Sequence, residues 1–118
     1  MAAVRTKHHI YIVLYQKQVS KLPAAMKPII TIEYCPKCNW LLHAAYMAQE
    51  ILTTFSDDVY GVTLHPSETA GKYAISINQD VVFDRKERGR FPEVKELKQL
   101  IRDVISPDKS LGHSDKTN

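Results

Sequence analysis

Cys35 and Cys38 are the only cysteines in the chain, and they stand three apart in Tyr34-Cys35-Pro36-Lys37-Cys38-Asn39-Trp40. Two sulfurs at that spacing support three chemistries: half of a zinc site, inert core filling, or a pair that cycles between dithiol and disulfide. Zinc needs four ligands. The remaining donors would come from His43, His65, His113, His8 and His9, none at a finger-like spacing from another. Free cysteine is often buried, but a helix mouth beside Pro36 and Lys37 is an odd place for it. The redox reading uses the physics of that place. A helix start presents unpaired N–H groups and a partial positive charge, both of which favour a thiolate. Lys37 adds a cation. The thiolate is the species that exchanges with disulfides, and the short spacing lets the second sulfur resolve a mixed disulfide made by the first.

The elements that position the pair can be read from hydrophobic periodicity. Ile29 to Tyr34 alternates with both faces largely apolar, as an interior strand covered on both sides would. Pro36 suits the first turn of a long helix, with Leu41, Leu42, Ala45, Ala48, Leu52 and Phe55 as its buried stripe and Ser56-Asp57-Asp58 as its end. Val59 to His65 reads as a second strand and Pro66 to Gly71 as a loop. Lys72 to Ile77 and Val81 to Lys86 read as an antiparallel hairpin turned at Asn78-Gln79-Asp80. A break at Glu87 to Arg90 precedes a second helix opened by Pro92 and Glu93. Its apolar face is Val94, Leu97, Leu100, Ile101, Val104 and Ile105, and Ser106-Pro107 stops it. The order is β-α-β-β-β-α, an α/β fold. The first two strands are parallel across a right-handed crossover, and the hairpin completes a four-stranded mixed sheet. This is the minimal thioredoxin-like arrangement, with the cysteines at the first strand-to-helix junction.

The 118 residues suit one domain. A formal net charge of +3, from sixteen basic and thirteen acidic residues, is small and interleaved. It gives no footprint for nucleic acid. No apolar run approaches the ~20 residues that span a bilayer, so no membrane partner is expected. Two cysteines are too few for a secreted disulfide scaffold. The apolar run Ile10 to Tyr15 falls short of the roughly seven to fifteen residues of a signal-peptide centre. It reads instead as a strand-like piece of an extension, residues 1–26. We expect translation to start at Met26, so that what precedes it is a gene-prediction artefact. Residues 27–107 form the domain, 108–118 a mobile polar tail, and the expected location is cytoplasmic.

The stretch from Ile32 to Ala45, "IEYCPKCNWLLHAA", resembles a known family, as does "YAISINQDVVFDRKERGRFPEVKELKQLIRDVI", Tyr73 to Ile105, followed by "LGHSD". These stretches look like the Rdx group of selenoprotein W, T and H relatives, and more narrowly the bacterial selenoprotein W-like proteins. The resemblance covers about Lys27 to Asp115. It implies a thioredoxin-like fold and thiol–disulfide oxidoreductase activity in cell redox homeostasis, often glutathione-linked. Selenoprotein members carry selenocysteine at the second motif position, Cys38 here, where sulfur is a slower nucleophile near neutral pH. That placement points to Cys38 as the attacking residue, whereas thioredoxin geometry points to Cys35. We take Cys35 as attacker and Cys38 as resolver. Thioredoxins also place a cis-proline opposite the pair; Pro66, about six residues ahead of the third strand, is a poor match.

Cys35 and Cys38 are thus the candidate catalytic residues, with Pro36, Lys37 and Trp40 flanking or binding substrate. Trp40 serves as a lip around the sulfurs or as an edge packing residue. Tyr34 is a shield or core, and His43 a proton shuttle or a solvated histidine. The charged run Asp84 to Arg90 attracts glutathione carboxylates or an acidic partner, or is simply solvated. Phe91 and the Ser67–Gly71 loop are candidates to flank the pair. No metal and no resident cofactor are expected, and no nucleotide-binding glycine motif is present. Reducing equivalents therefore come from a thiol protein or from glutathione as co-substrate. The alternative is a non-catalytic module whose cysteine pair senses redox state and alters binding to a partner.

Overall fold

The computed structural model describes residues 22–115; the strand-like piece at Ile10–Tyr15, His8 and His9 lie outside them. The elements are β1 (Ile29–Tyr34), α1 (Leu41–Phe55), β2 (Gly61–Pro66), β3 (Tyr73–Ile77), β4 (Asp80–Asp84), the single turn α2 (Arg85–Arg88) and α3 (Val94–Ile105). Short 3-10 turns lie at Ala24–Met26 and Gly112–Asp115. The four strands form one mixed sheet in the order β2-β1-β3-β4. β1 runs parallel to β2, with Ile30 beside Val62 and Tyr34 beside Pro66. It runs antiparallel to β3, which pairs antiparallel with β4. The thioredoxin-like α/β arrangement read from the sequence is the one observed.

One core lies between the sheet and the helices. Ile30, Ile32 and Tyr34 of β1 meet Tyr73, Ile75 and Ile77 of β3, Phe83 of β4, and the buried faces of α1 and α3. The register sets Ile32 beside Ile75 and Tyr34 beside Tyr73, so side chains of one parity all point inward. The other parity is more open: Ile29 and Thr63 are exposed and Thr31, Glu33 and Ser76 half-buried, although Ala74 beside Glu33 is buried. β1 is therefore covered on one face, not on both as its composition implied. Thr31 and Glu33 are the residues of β1 that tolerate the wet side.

α1 is rotated relative to the stripe expected for it. Its buried residues are Ala44, Met47, Ala48, Ile51 and Phe55. Leu42 is 83% exposed, and Leu41 and Leu52 lie largely in solvent. Ala48 and Phe55 belong to both sets, and both have helical 3/4 spacing; the sheet takes Ala44, Met47 and Ile51 in place of Leu41, Leu42 and Leu52.

Smaller differences lie at the element ends. Only Asn78-Gln79 separate the hairpin strands, since Asp80 pairs with Ile77, and Asn78 takes the positive φ of 55° that the turn needs. A bulge at Val82 shifts the register between Ile75 and Ser76. β4 stops at Asp84, whose carboxylate accepts from the Lys86 N–H at 2.9 Å and starts α2. The expected break is thus one helical turn, closed by Gly89 at φ 74°. Pro92 precedes α3 rather than opening it. Glu93 is the N-cap and forms a reciprocal capping box with Glu96. Leu97, Ile101 and Ile105 face the core, while Val104 is exposed. Beyond α3 the chain is tied back: Arg102 pairs with Asp115 at 2.6 Å, and Lys109 pairs with buried Asp58 at 3.0 Å.

Candidate functional site

Cys35 follows the last residue of β1, and Cys38 lies two residues before the N-cap of α1, Trp40. The helix expected to begin at Pro36 begins at Leu41 instead, and the local chemistry explains why. Residues 36–39 make one separate turn. The Asn39 N–H donates to the Pro36 carbonyl at 3.1 Å, and the Trp40 N–H donates to the Cys35 carbonyl at 3.4 Å. Asn39 has φ 63°. Nested bonds of this kind around a left-handed residue are how helices end, and Asn is the non-glycine residue that best tolerates that conformation. The motif is a helical turn stopped at once, followed by a new helix.

That turn brings the two Cα atoms to 5.3 Å, and Cys35 and Cys38 are joined in a disulfide. The sulfurs are not equivalent. Cys35 is 1% exposed, whereas Cys38 is half-buried and reaches the surface. Cys38 is thus the more exposed residue of the pair, whereas the assignment made from thioredoxin geometry took Cys35 as attacker. α1 has no side chain capping its start and no acid in its first turn. No cap or carboxylate therefore offsets the partial positive charge at the start of the helix that follows the cysteine turn.

A hollow of about 330 Å³ lies beside the disulfide, lined by Cys35, Pro36, Lys37, Ser67, Glu68 and Ala70. The loop after β2 supplies its far wall. The Ser67 N–H donates to the Tyr34 carbonyl at 2.7 Å, its hydroxyl donates to Glu33 at 2.7 Å, and the Thr69 N–H donates to that hydroxyl at 3.0 Å. The Ser67–Gly71 loop thus flanks the pair. Pro66 ends β2 beside Tyr34, and no cis peptide bond occurs among the described residues.

An aromatic cluster is built around Trp40, two residues past Cys38. Trp40 stands edge-on to Phe91 (centroids 4.9 Å) and to Tyr73 (6.3 Å). The His43 ring lies 4.4 Å from that of Phe91, and its Nδ1 is 2.9 Å from the Tyr73 hydroxyl. Burial pulls the His43 pKa below its ordinary value and pushes the Tyr73 phenol up, so both groups favour their uncharged forms. His43 is therefore half-buried and engaged by Tyr73 rather than a free surface histidine. Tyr34, buried in the core beside Tyr73, takes its packing reading. The Arg85 guanidinium carbon lies 4.8 Å from the ring centroids of both Trp40 and Phe91. Sequence reasoning named Trp40, His43 and Phe91 separately and Arg85 only as one member of the charged run Asp84 to Arg90, and it missed Tyr73 and the meeting of Arg85 with the rings. Their only signal was position, at the start of β3 and just past the end of β4.

Among the described residues, no group of three or more His, Cys, Asp or Glu side chains gathers in a form that holds a metal. Nor is any described helix long and apolar enough to cross a membrane.

A family model described as "Rdx family" matches residues 29–103, which carry the cysteine turn, the whole sheet and most of α3. A selenoprotein W-related protein from Vibrio cholerae has a solved structure that is similar at 46% identity and TM-score 0.65, covering 68% of this chain and 99% of that one. A solved structure from Bordetella parapertussis is 49% identical with TM-score 0.63, covering 65% of this chain and 96% of that one. Mouse migration and invasion enhancer 1 is 31% identical over 74 residues, 62% of this chain and 61% of that protein's length. The match to the family model spans more than half of the chain and includes the strand-to-helix junction where the disulfide sits; the chain belongs to the Rdx family.

Proposed function

We propose that the protein is a thiol–disulfide oxidoreductase in which Cys38 exchanges with substrate and Cys35 resolves. The observation that supports this reading is the asymmetry of the pair: a bonded couple with Cys35 enclosed and Cys38 only half-buried, at a helix start with no side-chain cap. A substrate thiolate attacks Cys38 Sγ. The bond to Cys35 breaks, and Cys35 Sγ leaves with the electron pair and takes a proton from water. The substrate is then held as a mixed disulfide on Cys38. A second substrate thiolate attacks the substrate sulfur and releases Cys38 as a thiolate. Two substrate thiolates become one disulfide, and the cysteine pair gains two electrons, one proton at Cys35 and, when the Cys38 thiolate is protonated by water, a second. Run backwards, the same steps reduce a substrate disulfide. Enclosure of Cys35 protects its thiol from outside oxidants, while the 5.3 Å Cα separation keeps it within bonding reach of Cys38. The co-substrates we propose are glutathione or a protein thiol, in the cytoplasm.

The test is turnover by purified protein in glutathione-disulfide exchange coupled to NADPH through glutathione reductase. Multiple turnovers that vanish in Cys38→Ser support the proposal. A rate equal to that of free thiols overturns it.

A second reading has an observation of its own. Leu41, Leu42 and Tyr46 expose apolar surface on the first turns of α1, directly after the cysteine turn. A redox-sensing module that changes partner binding with the state of its disulfide uses such a surface. Reversible disulfide formation without turnover distinguishes it.

A further inference from the structure

We propose that Arg85 is a specificity-determining residue that grips a carboxylate on the thiol or disulfide substrate exchanging at Cys38. The inference rests on the thiol-exchange function proposed above and adds to it a class of substrate: an anionic thiol bearing its carboxylate a few bonds from sulfur.

The first observation is the absence of a partner. Four arginines are described. Arg88 and Arg90 both pair with Glu96, and Arg102 pairs with Asp103 and Asp115. Arg85 has no carboxylate and no hydrogen-bond acceptor among the described residues, and its Nε is enclosed without one. A half-buried cation left so is unusual, because enclosed donors are nearly always satisfied. The acid that precedes it in sequence does not serve it: Asp84 is engaged by Lys72 at 3.2 Å and by the Lys86 N–H.

The second observation is fixation. The Arg85 guanidinium carbon and the centroids of Trp40 and Phe91 form a nearly equilateral triangle, with sides of 4.8, 4.8 and 4.9 Å. The two rings are close to perpendicular, at 84°, so the guanidinium sits in the corner they make. Ring faces attract the cation without neutralising it. Unlike exposed Lys37, Arg85 is thus ordered before any ligand arrives, and less freedom is lost when its planar fork meets a carboxylate.

The third observation is place. Trp40, one wall of the corner, follows Cys38 by two residues, so their Cα atoms are within about 7 Å. The Trp40 N–H is bonded to the Cys35 carbonyl. The cation is therefore fastened to the same turn that presents the reachable sulfur. Its companions His43 and Tyr73 are held uncharged by burial and do not compete for an anion.

The experiment follows opening of the native Cys35–Cys38 disulfide by 3-mercaptopropionate and by its methyl ester, a neutral counterpart. Rates are expressed per thiolate and read by intact mass after acid quench. In wild type we expect the carboxylate thiol to be preferred, and the preference to shrink as salt rises. In Arg85→Gln we expect the acid-to-ester ratio to fall about fivefold. Arg85→Lys should keep the salt dependence with a smaller preference. Differences in intrinsic nucleophilicity cancel when the ratios of variant and wild type are compared. The salt series on wild type stands even where a variant folds poorly. A ratio unchanged in Arg85→Gln, or a wild-type preference insensitive to salt, overturns the assignment to Arg85 alone. Failure of both thiols to open the disulfide overturns thiol exchange itself, and the substrate class with it.

Discussion

The Nδ1 of His43, on α1, lies 2.9 Å from the hydroxyl of Tyr73, on β3, and joins the helix that follows the cysteine turn to the strand beside β1. The direction of the bond follows the imidazole tautomer. Burial lowers the His43 pKa below its ordinary 6.5, so the unfolded chain takes up a proton at higher pH than the folded one. Stability is then full above about pH 6.5 and falls as the pH drops below it towards the folded pKa. Thermal melts from about pH 7.5 to 5 should show a falling Tm in wild type, with a shallower slope in His43→Gln. Tyr73→Phe should cost about 1 kcal/mol at neutral pH by leaving the imidazole without its partner. Equal slopes in wild type and His43→Gln would refute the assignment.

The two single cysteine variants should differ in reactivity. In Cys35→Ser the remaining thiol is at the surface; in Cys38→Ser it sits where Cys35 is now enclosed. Alkylation of native Cys35→Ser should be at least about tenfold faster, since reactivity follows thiolate character and access. Only Cys35→Ser should accumulate a mixed disulfide with glutathione. The reverse order would restore Cys35 as the attacking residue.

Core truncation should follow the observed face of α1. Ile51→Ala removes an enclosed side chain and should cost about 3 kcal/mol in denaturant unfolding. Leu42→Ala, on a residue 83% exposed, should change stability by less than about 0.5 kcal/mol. Similar costs at the two positions would mean that the helix is rotated in solution.

At the end of the cysteine turn, Asn39→Gly should be tolerated, because glycine takes φ 63° freely. Asn39→Ala should cost about 1 kcal/mol or more, the penalty of a Cβ in the left-handed region. Chemical denaturation of oxidised protein measures both.

The sheet was legible because its signals are local and mutually consistent. Ile30, Ile32, Ile75 and Ile77 alternate strictly, and Asn78 marks a tight turn. The junction of β1 with the cysteines was legible for the same reason. The start of α1 was not, because Pro36 correctly announces a helical turn and Asn39, four residues from the first cysteine, ends it. A left-handed stop inside an apparently continuous helix shows only as one Asn. The face of α1 was hidden by a different ambiguity. Leu41, Leu42 and Leu52 are more apolar than Ala44 and Ala48, but the helix must approach the sheet closely enough for small residues to be enclosed. The Tyr73–His43 and Arg85–Trp40 contacts join residues 30 and 45 positions apart, which periodicity does not encode.

β2 and β4 are the outer strands of the sheet, and neither makes an easy landing place for a foreign strand. β4 is interrupted by the irregularity at Val82 and has an aspartate at each end, Asp80 and Asp84. β2 finishes in Pro66, which has no N–H to offer. Irregularity, charge and proline are the means by which exposed strands avoid stacking into aggregates. In the proposed exchange, where the protein is briefly tethered to other molecules through sulfur, that resistance would keep an encounter from becoming a permanent deposit.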